Sequence, residues 1–555
     1  MSSEHDFSYD PRTGECEAPK NENWGIPPNP FFQPPAQSNV LSENSPSHHA
    51  QQQVVPKSSI KARGGNRSRK DRVVTEIYHL LKKHYFKGMT PRGTELLINY
   101  KTSLATPLEV EGFVSDIQSL ALHTTGLAIN TKEVGLALGA IKGDEPDAQG
   151  VAASTGLTVL GGQGSLYLLA HEEIVEIHAQ MGFHPLKQFQ EPIGFVRLKN
   201  ARPPIFYALY GQVAYQPLIS FLDLLNVPRE SQLLVLAWLV TCLIPNADNV
   251  LLEIVGERFS GKSTLQSALK TLIDPSLEPL IGDTPQKEAQ MFELGKRDHV
   301  ISLDRVDKMS PKAQEALMTL LKGKLTDISA KKSSGQTRVF LSHPVIINSA
   351  ESVVTWADLA DRSILVSLPR LEKIVDHFLE KPAANSSFQP AFASLVALLS
   401  YVHASWKSVR ATAAPAGMVD FYCIGIAVAE AMGGSASDFD QQLTTSLERR
   451  FEMELYEYPV AAAVRDLLGA SGKESLDLPV GELLQKLNDF RPDDALDSQW
   501  PRGPRDLGSK LDKCSGLMEA YGMRVGPTER KGKRGVYHRK IEKCTPQLYR
   551  ARSPF

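Results

Sequence analysis

Residues 256–264 read Gly256-Glu257-Arg258-Phe259-Ser260-Gly261-Lys262-Ser263-Thr264, and no other stretch of the chain constrains the backbone as tightly. A G-x-x-x-x-G-K-S run needs glycine where the chain turns sharply and passes close to a phosphate. It then needs a helix whose first N–H groups face that phosphate. The flanks fit this demand. Val250-Leu251-Leu252-Glu253-Ile254-Val255 reads as a short buried strand, and Leu265 to Ile273 carries apolar residues at helical spacing. Strand, loop and helix together predict an α/β layer with a nest of backbone N–H groups for nucleotide phosphates. All nine residues, Gly256 to Thr264, are candidates for binding ATP. Lys262 is expected to reach the β- and γ-phosphates and Ser263 to hold Mg²⁺.

A nucleotide site of this kind needs a second strand ending in a carboxylate that orients metal and water. His299-Val300-Ile301-Ser302-Leu303-Asp304 supplies it, 42 residues after Lys262, so Asp304 is the expected metal-side carboxylate. Many phosphate-loop ATPases place glutamate next, to polarise the attacking water, but this chain has Arg305. Asp307 is the nearest spare carboxylate and the candidate for that task, with Glu315 on the following helix. Ser310-Pro311 predicts a helix start, serine as N-cap and proline in the first turn. Two alternating runs between Leu325 and Leu341 then flank Lys331-Lys332-Ser333-Ser334-Gly335, which predicts a β-hairpin with a basic tip. Lys331 and Lys332 are candidate DNA contacts, against the plainer reading of an ordinary exposed turn.

Pro344-Val345-Ile346-Ile347-Asn348 ends an apolar strand on a polar residue, so Asn348 is a candidate sensor of the γ-phosphate or its water. Arg362 stands just before the apolar run Ser363-Ile364-Leu365-Val366. It is a candidate arginine finger for a neighbouring subunit's nucleotide. The competing reading is an intrachain ion pair with Asp358 or Asp361.

Around this core the composition changes several times. Residues 1–72 are rich in Pro, Ser, Asn and Gln and end in a basic cluster from Lys57 to Arg72; they predict a disordered tail. Residues 73–149 read as a helical module and 150–205 as a small β-rich module, with strand-like runs at Leu157–Leu160, Ser165–Leu169 and Ile174–Ile177. Residues 206–371 read as the ATPase core and 372–456 as a helical lid. In 457–543, two helices precede a hairpin whose tip is Arg530-Lys531-Gly532-Lys533-Arg534, and this order resembles a winged helix. A tail, 544–555, follows. Residues 501–555 hold 14 Lys/Arg against 5 Asp/Glu, a balance of +9 that leaves −11 on residues 1–500. A basic end on an acidic body points to DNA, with Arg530, Lys531, Lys533 and Arg534 as phosphate contacts. A winged helix that binds protein instead is the alternative.

The order from the phosphate loop through Asp304, the hairpin, Asn348 and Leu359-Ala360-Asp361-Arg362 resembles an AAA+ core. It is most similar to the superfamily-3-like ATPases and helicases of bacterial prophages and other mobile elements, with a C-terminal winged helix. The resemblance covers roughly residues 150–543. It implies an ATP-dependent DNA helicase or replication-initiation ATPase that uses ATP and Mg²⁺, forms a homo-oligomeric ring, most simply a hexamer, and threads DNA past the basic hairpin. Two alternatives remain: an ATP-switched DNA-binding regulator or initiator that does not unwind, and a partner ATPase of a defence or conflict system. Arg305 departs from the acidic pair usual in the family and puts robust hydrolysis in doubt.

Other classes are excluded by what the sequence lacks. There is no primase or nuclease carboxylate cluster and no paired-histidine relaxase motif, so such activities would come from partners, a primase or other replication proteins. The five cysteines are far apart, without a C-x-x-C pair, which argues against disulfides and structural zinc. The longest apolar run, Leu233 to Ile244, contains Thr241 and is too short to span a bilayer; it predicts a buried helix. Without an apolar signal core, a cytoplasmic location and no membrane partner are expected.

Overall fold

The computed structural model describes residues 69–544, with interruptions at 90–94, 101–103, 108–110, 144–153, 157–158, 162–163, 172, 180–181, 187–192, 197–201, 203, 212, 296, 330–335, 372–385, 412–413, 416, 494, 521 and 532–535. Residues 1–68 of the expected N-terminal tail, the tip lysines Lys331 and Lys332, and Lys533 and Arg534 lie outside the described residues, whereas residues 69–72, read as the end of that tail, open the first helix.

The N-terminal part is mixed. Helices α1 (Arg69–His84), α2 (Glu111–Thr125) and α3 (Thr131–Lys142) accompany strands β1 (Tyr85–Met89), β2 (Glu95–Asn99) and β3 (Leu104–Pro107). These strands were not expected in a segment that reads as helical. Strand β2 has Leu96, Leu97 and Ile98 all buried, so it lacks the period-two alternation that marks a half-exposed strand. Strands β4 (Ser154–Gly156) and β9 (Ile193–Val196) come from the stretch read as a separate β-rich module, yet they complete the same sheet, in the order β1-β2-β3-β9-β4. Strands β5 (Val159–Gly161), β6 (Ser165–Leu169), β7 (Ile174–His178) and β8 (Gly182–Pro185) form an antiparallel sheet of their own. Val159, Leu166, Leu168, Val175 and Ile177 of this sheet join the main apolar core.

Helices α4 (Gln216–Leu224) and α5 (Arg229–Thr241) lead into the central sheet. Its strands are β10 (Leu251–Val255), β11 (Ile301–Leu303), β14 (Val345–Asn348) and β15 (Ser363–Ser367), all parallel, in the order β11-β14-β10-β15. Every residue of β10 is buried. Helices on both faces account for this, and for its reading as a continuous apolar run. Leu252 and Ile254 pack with α5, with α6 (Lys262–Ile273) and with helices α10 (Phe388–Ser405), α11 (Val419–Ala431) and α12 (Ala436–Glu457). Leu251 packs on the other face with α7 (Glu288–Gly295), α8 (Pro311–Lys322) and α9 (Ala357–Ala360). Ser310 caps α8 as its sequence predicts, accepting from the Ala313 N–H at 3.2 Å. Between α8 and β14, strands β12 (Lys324–Ser329) and β13 (Gln336–Leu341) pair antiparallel as the expected hairpin.

Helix α12 is fastened to the sheet by polar contacts. The Ser446 hydroxyl bridges the Leu365 N–H and carbonyl of β15 at 2.8 and 2.9 Å. Arg450 reaches Glu253 of β10 at 2.8 Å, and both side chains are fully buried.

The C-terminal part runs α13 (Pro459–Ser471), β16 (Ser475–Pro479), α14 (Val480–Asn488), α15 (Pro504–Ala520), β17 (Met523–Val525), β18 (Glu529–Lys531) and β19 (Val536–Lys543). Strand β19 lies between β16 and β17 and also pairs with β18. Val460, Leu483, Leu507, Leu511, Met518 and Ile541 make its own apolar core. Among the described residues no helix is long and apolar enough to cross a membrane.

Candidate functional site

The loop after β10 is held open by its own backbone. Gly256 has φ +151°, and a Cβ there would meet the Leu368 carbonyl at 2.6 Å and Ser260 Oγ at 2.9 Å, so only glycine fits. Gly261, at φ +87°, turns the chain into α6. Phe259 adopts φ +66° without being glycine; its carbonyl accepts from the Leu371 N–H at 3.1 Å. The Asn226 amide, in the turn before α5, donates to the carbonyls of Ser260 (3.2 Å) and Pro369 (2.7 Å). A loop containing strained non-glycine backbone needs such external fastening to persist. Asn226 carries no local sequence signal, since its partners are 34 and 143 residues away.

Within this cradle Lys262 Nζ donates to the carbonyls of Gly256 (2.6 Å) and Glu257 (2.7 Å). Partial burial lowers its pKa, while the nearby Asp304 charge acts in the opposite sense. An ammonium held by neutral carbonyls gains more from an anionic oxygen in the same place.

Asp304, just past β11, is the hub of the site. Its Oδ1 accepts from Ser263 Oγ and from Asn348 Nδ2, each at 2.6 Å. Asn348 closes the circuit: its amide also donates to Gln266 Oε1, and its Oδ1 accepts from the Arg305 N–H at 3.0 Å. Gln266, buried in α6, donates to Ser302 Oγ at 2.8 Å and to the Leu303 carbonyl at 3.0 Å. It thereby sets which way the Asn348 amide points. Sequence reasoning passes over Gln266, although one clue was available. A polar residue four after Lys262 lies on the same helix face as the lysine. The structure therefore brings together Lys262, Ser263, Asp304 and Asn348 from three strand ends.

These residues fit a nucleotide with Mg²⁺. The glycines let the loop close against Leu368 and Leu371 where a Cβ would crowd them, and a hydroxyl beside a single carboxylate suits a cation that keeps water and phosphate oxygens in the rest of its shell. Among the described residues no group of three or more His, Cys, Asp or Glu side chains is placed to hold a metal.

The other candidates are spread out. Arg305 has φ +53° and an 82% exposed side chain whose Nε lies 3.5 Å from Asp304 Oδ2. Asp307 is exposed on the loop that follows, as is Glu315 on α8. Arg362 precedes β15, level with the start of β10. It therefore sits at the far end of the sheet, about 20 Å from the loop that follows β10, at 3.3 Å per residue. Its side chain is 14% exposed, with Nη1 3.8 Å from Asp248 Oδ1. A Cβ on Gly417 would meet its Cγ at 3.2 Å.

On the C-terminal hairpin, Arg530 is exposed and faces the exposed Tyr537 across the strands. Lys531 pairs with Asp477 at 2.5 Å and Glu529 at 3.2 Å, so part of its charge is already met within the chain. Helix α15 buries Leu507, Leu511, Cys514 and Met518 and leaves Arg505, Ser509 and Lys513 exposed on its outer side.

No curated protein matches the chain. Two solved structures align over most of its length. One is described as an SCCmec type IV Cch active helicase, with 12% identity over 82% of this chain and 92% of that one and a TM-score of 0.39. The other is an apo structure of the NrS-1 C-terminal region, with 13% identity over 85% and 99% and a TM-score of 0.39. Residues 460–547 match the family described as the AICE RepA C-terminal domain.

Proposed function

We propose that the chain is an ATP-dependent DNA helicase or replication-initiation ATPase of a mobile element, built on an AAA+ core with a C-terminal winged helix. The observation that carries this reading is the hydrogen-bonded cluster of Ser263, Asp304 and Asn348 at the ends of β10, β11 and β14, with Lys262 held beside it by the loop carbonyls and within reach of the Asp304 charge. The loop N–H groups and Lys262 bind the phosphates, and Ser263 and Asp304 hold Mg²⁺. The metal, when bound, neutralises charge on the transferring phosphoryl group. Asn348 contacts the terminal phosphate or its water. The position of Arg362 at the opposite end of the sheet supports action on a neighbour's nucleotide, and hence a homo-oligomeric ring, most simply a hexamer. In such a ring Lys331 and Lys332 track the DNA strand.

The family match over 460–547 supports the initiation role and the mobile-element origin. The α-β-α-α-β-β-β order of that part supports a winged helix. In it, α15 lies in a groove, and Arg530, Lys533 and Arg534 meet backbone phosphates. A second reading, an ATP-switched DNA-binding initiator that does not unwind, is favoured by Arg305 standing where an acidic residue usually polarises water.

Strand separation on a forked duplex, with ATP and with a non-hydrolysable analogue, distinguishes them. ATP-dependent unwinding lost on replacing Lys331 and Lys332 supports the helicase. Nucleotide-dependent duplex binding without unwinding supports the initiator.

A further inference from the structure

We propose that Arg305 supplies, from within the same subunit, the cation that contacts the terminal phosphate of the bound nucleotide. This rests on the nucleotide-site reading above and extends it to a residue that first presents itself only as a missing acid. Three observations meet at this position.

The first is location. Arg305 directly follows the carboxylate that shares a hydrogen bond with Ser263, and its Nε is 3.5 Å from Asp304 Oδ2. The guanidinium thus lies beside the cluster through which Lys262 and Ser263 would meet the phosphates. The second is a fixed root with a free end. The Arg305 backbone is held at φ +53° by its N–H to Asn348 Oδ1 at 3.0 Å, while the side chain is 82% exposed and has no packing role. A left-handed conformation disfavours an ordinary side chain. It is kept here by the same amide that faces Asp304, so backbone and site are arranged together. The third is the state of the other candidate. Arg362 is 14% exposed, packed beside Gly417, and at the opposite end of the sheet. Whatever it contributes to a neighbour, it does not meet the terminal phosphate in its own subunit.

Chemically the replacement is sensible. Phosphoryl transfer proceeds through a loose transition state in which charge on the equatorial oxygens matters more than a strong base, and an arginine in the same chain can stabilise it. The guanidinium offers planar paired donors to phosphate oxygens. When the phosphate arrives, Arg305 exchanges the Asp304 oxygen for it, which leaves Asp304 free to face Mg²⁺.

The test compares ATP and ADP affinity, each with Mg²⁺, in the wild type, Arg305→Gly, Arg305→Lys and Arg305→Glu, alongside steady-state hydrolysis. Glycine accepts φ +53°, so Arg305→Gly removes the cation without straining the fold. The expected result is a loss of ATP affinity of about ten- to a hundredfold in Arg305→Gly, with ADP affinity unchanged. Its kcat is expected to fall by about 10³. Arg305→Lys should keep part of both, and Arg305→Glu should be the poorest ATP binder. An ATP-to-ADP ratio in Arg305→Gly equal to that of the wild type overturns the inference. So does an Arg305→Glu protein that hydrolyses as fast as the wild type, because the cation would then be dispensable for the reaction. If the wild type binds neither nucleotide, the nucleotide-site reading itself fails, and that outcome is separate from indifference among the Arg305 variants.

Discussion

Replacing Arg450 by methionine should destabilise the core far more than a surface arginine would, because its partner is left charged and buried. Glu253 and Arg450 lie 2.8 Å apart at 0% and 2% exposure, joining β10 to helix α12. Glu253 also accepts from the Val353 N–H at 2.7 Å and from Ser352 Oγ, so it ties together the phosphate-loop strand, α12 and the segment after β14. Breaking a buried pair from one side costs about 3–5 kcal/mol. For the unit Arg67–Phe555 that corresponds to a fall in apparent melting temperature of about 3–5 °C. The double variant Glu253→Gln/Arg450→Met removes both charges but keeps an acceptor for the Val353 N–H. Arg450 Nε and Nη1 are buried without hydrogen-bond partners, so losing the arginine together with its counter-charge sacrifices little. The double variant should therefore recover most of the loss and give a coupling of about 2 kcal/mol or more. Differential scanning calorimetry with urea denaturation measures all four proteins. If Arg450→Met costs less than about 1 kcal/mol, or if the two single losses simply add, the pair does not fasten α12 in the way argued here.

Three further outcomes are expected. Mixing Arg362→Ala with Lys262→Ala protein should restore part of the ATPase activity that each lacks, if the two defects meet across an interface; mixed oligomers without rescue would argue against a role in trans. Replacing Arg530, Lys531, Lys533 and Arg534 by alanine should weaken duplex binding. The slope of log affinity against log salt should flatten, with Lys531, already paired with Asp477 and Glu529, contributing less than a full unit; an unchanged slope would point to protein as the ligand. Burial lowers the pKa of His299 and holds His343 down at about 4. The unfolded chain therefore takes up protons first, so stability is full above about pH 6.5 and is lost as pH falls toward about 4. His343→Asn should flatten that slope in calorimetry across the same range.

The phosphate loop was legible because its requirements are local: glycine at φ +151° and +87°, then a lysine and a serine opening a helix. Asp304 and Asn348 were legible because parallel strands buried on both faces read as apolar runs, and a polar residue at their ends stands out. The same uniform burial hid β1 to β3, since Leu96-Leu97-Ile98 without alternation suits helix and strand equally. Long-range partners were out of reach. Nothing near Glu253 announces Arg450 197 residues later, and Asn226 and Gln266 become members of the site only once the sheet has formed. Arg362 was legible as a residue before a strand, but its packing beside Gly417 and its approach to Asp248 depend on the fold.

Nucleotide binding by residues 256–264 through Lys262 underlies every role proposed above. Calorimetric titration of Mg²⁺-ATP into the wild type and Lys262→Ala tests it directly, with circular dichroism to show that both are folded. Among the described residues the hydrogen bonds of Lys262 Nζ go to the loop's own carbonyls and the Ser260 hydroxyl, so its removal should leave the fold intact and abolish tight binding. A wild type that does not bind ATP, or a folded Lys262→Ala protein that binds it equally well, contradicts the account.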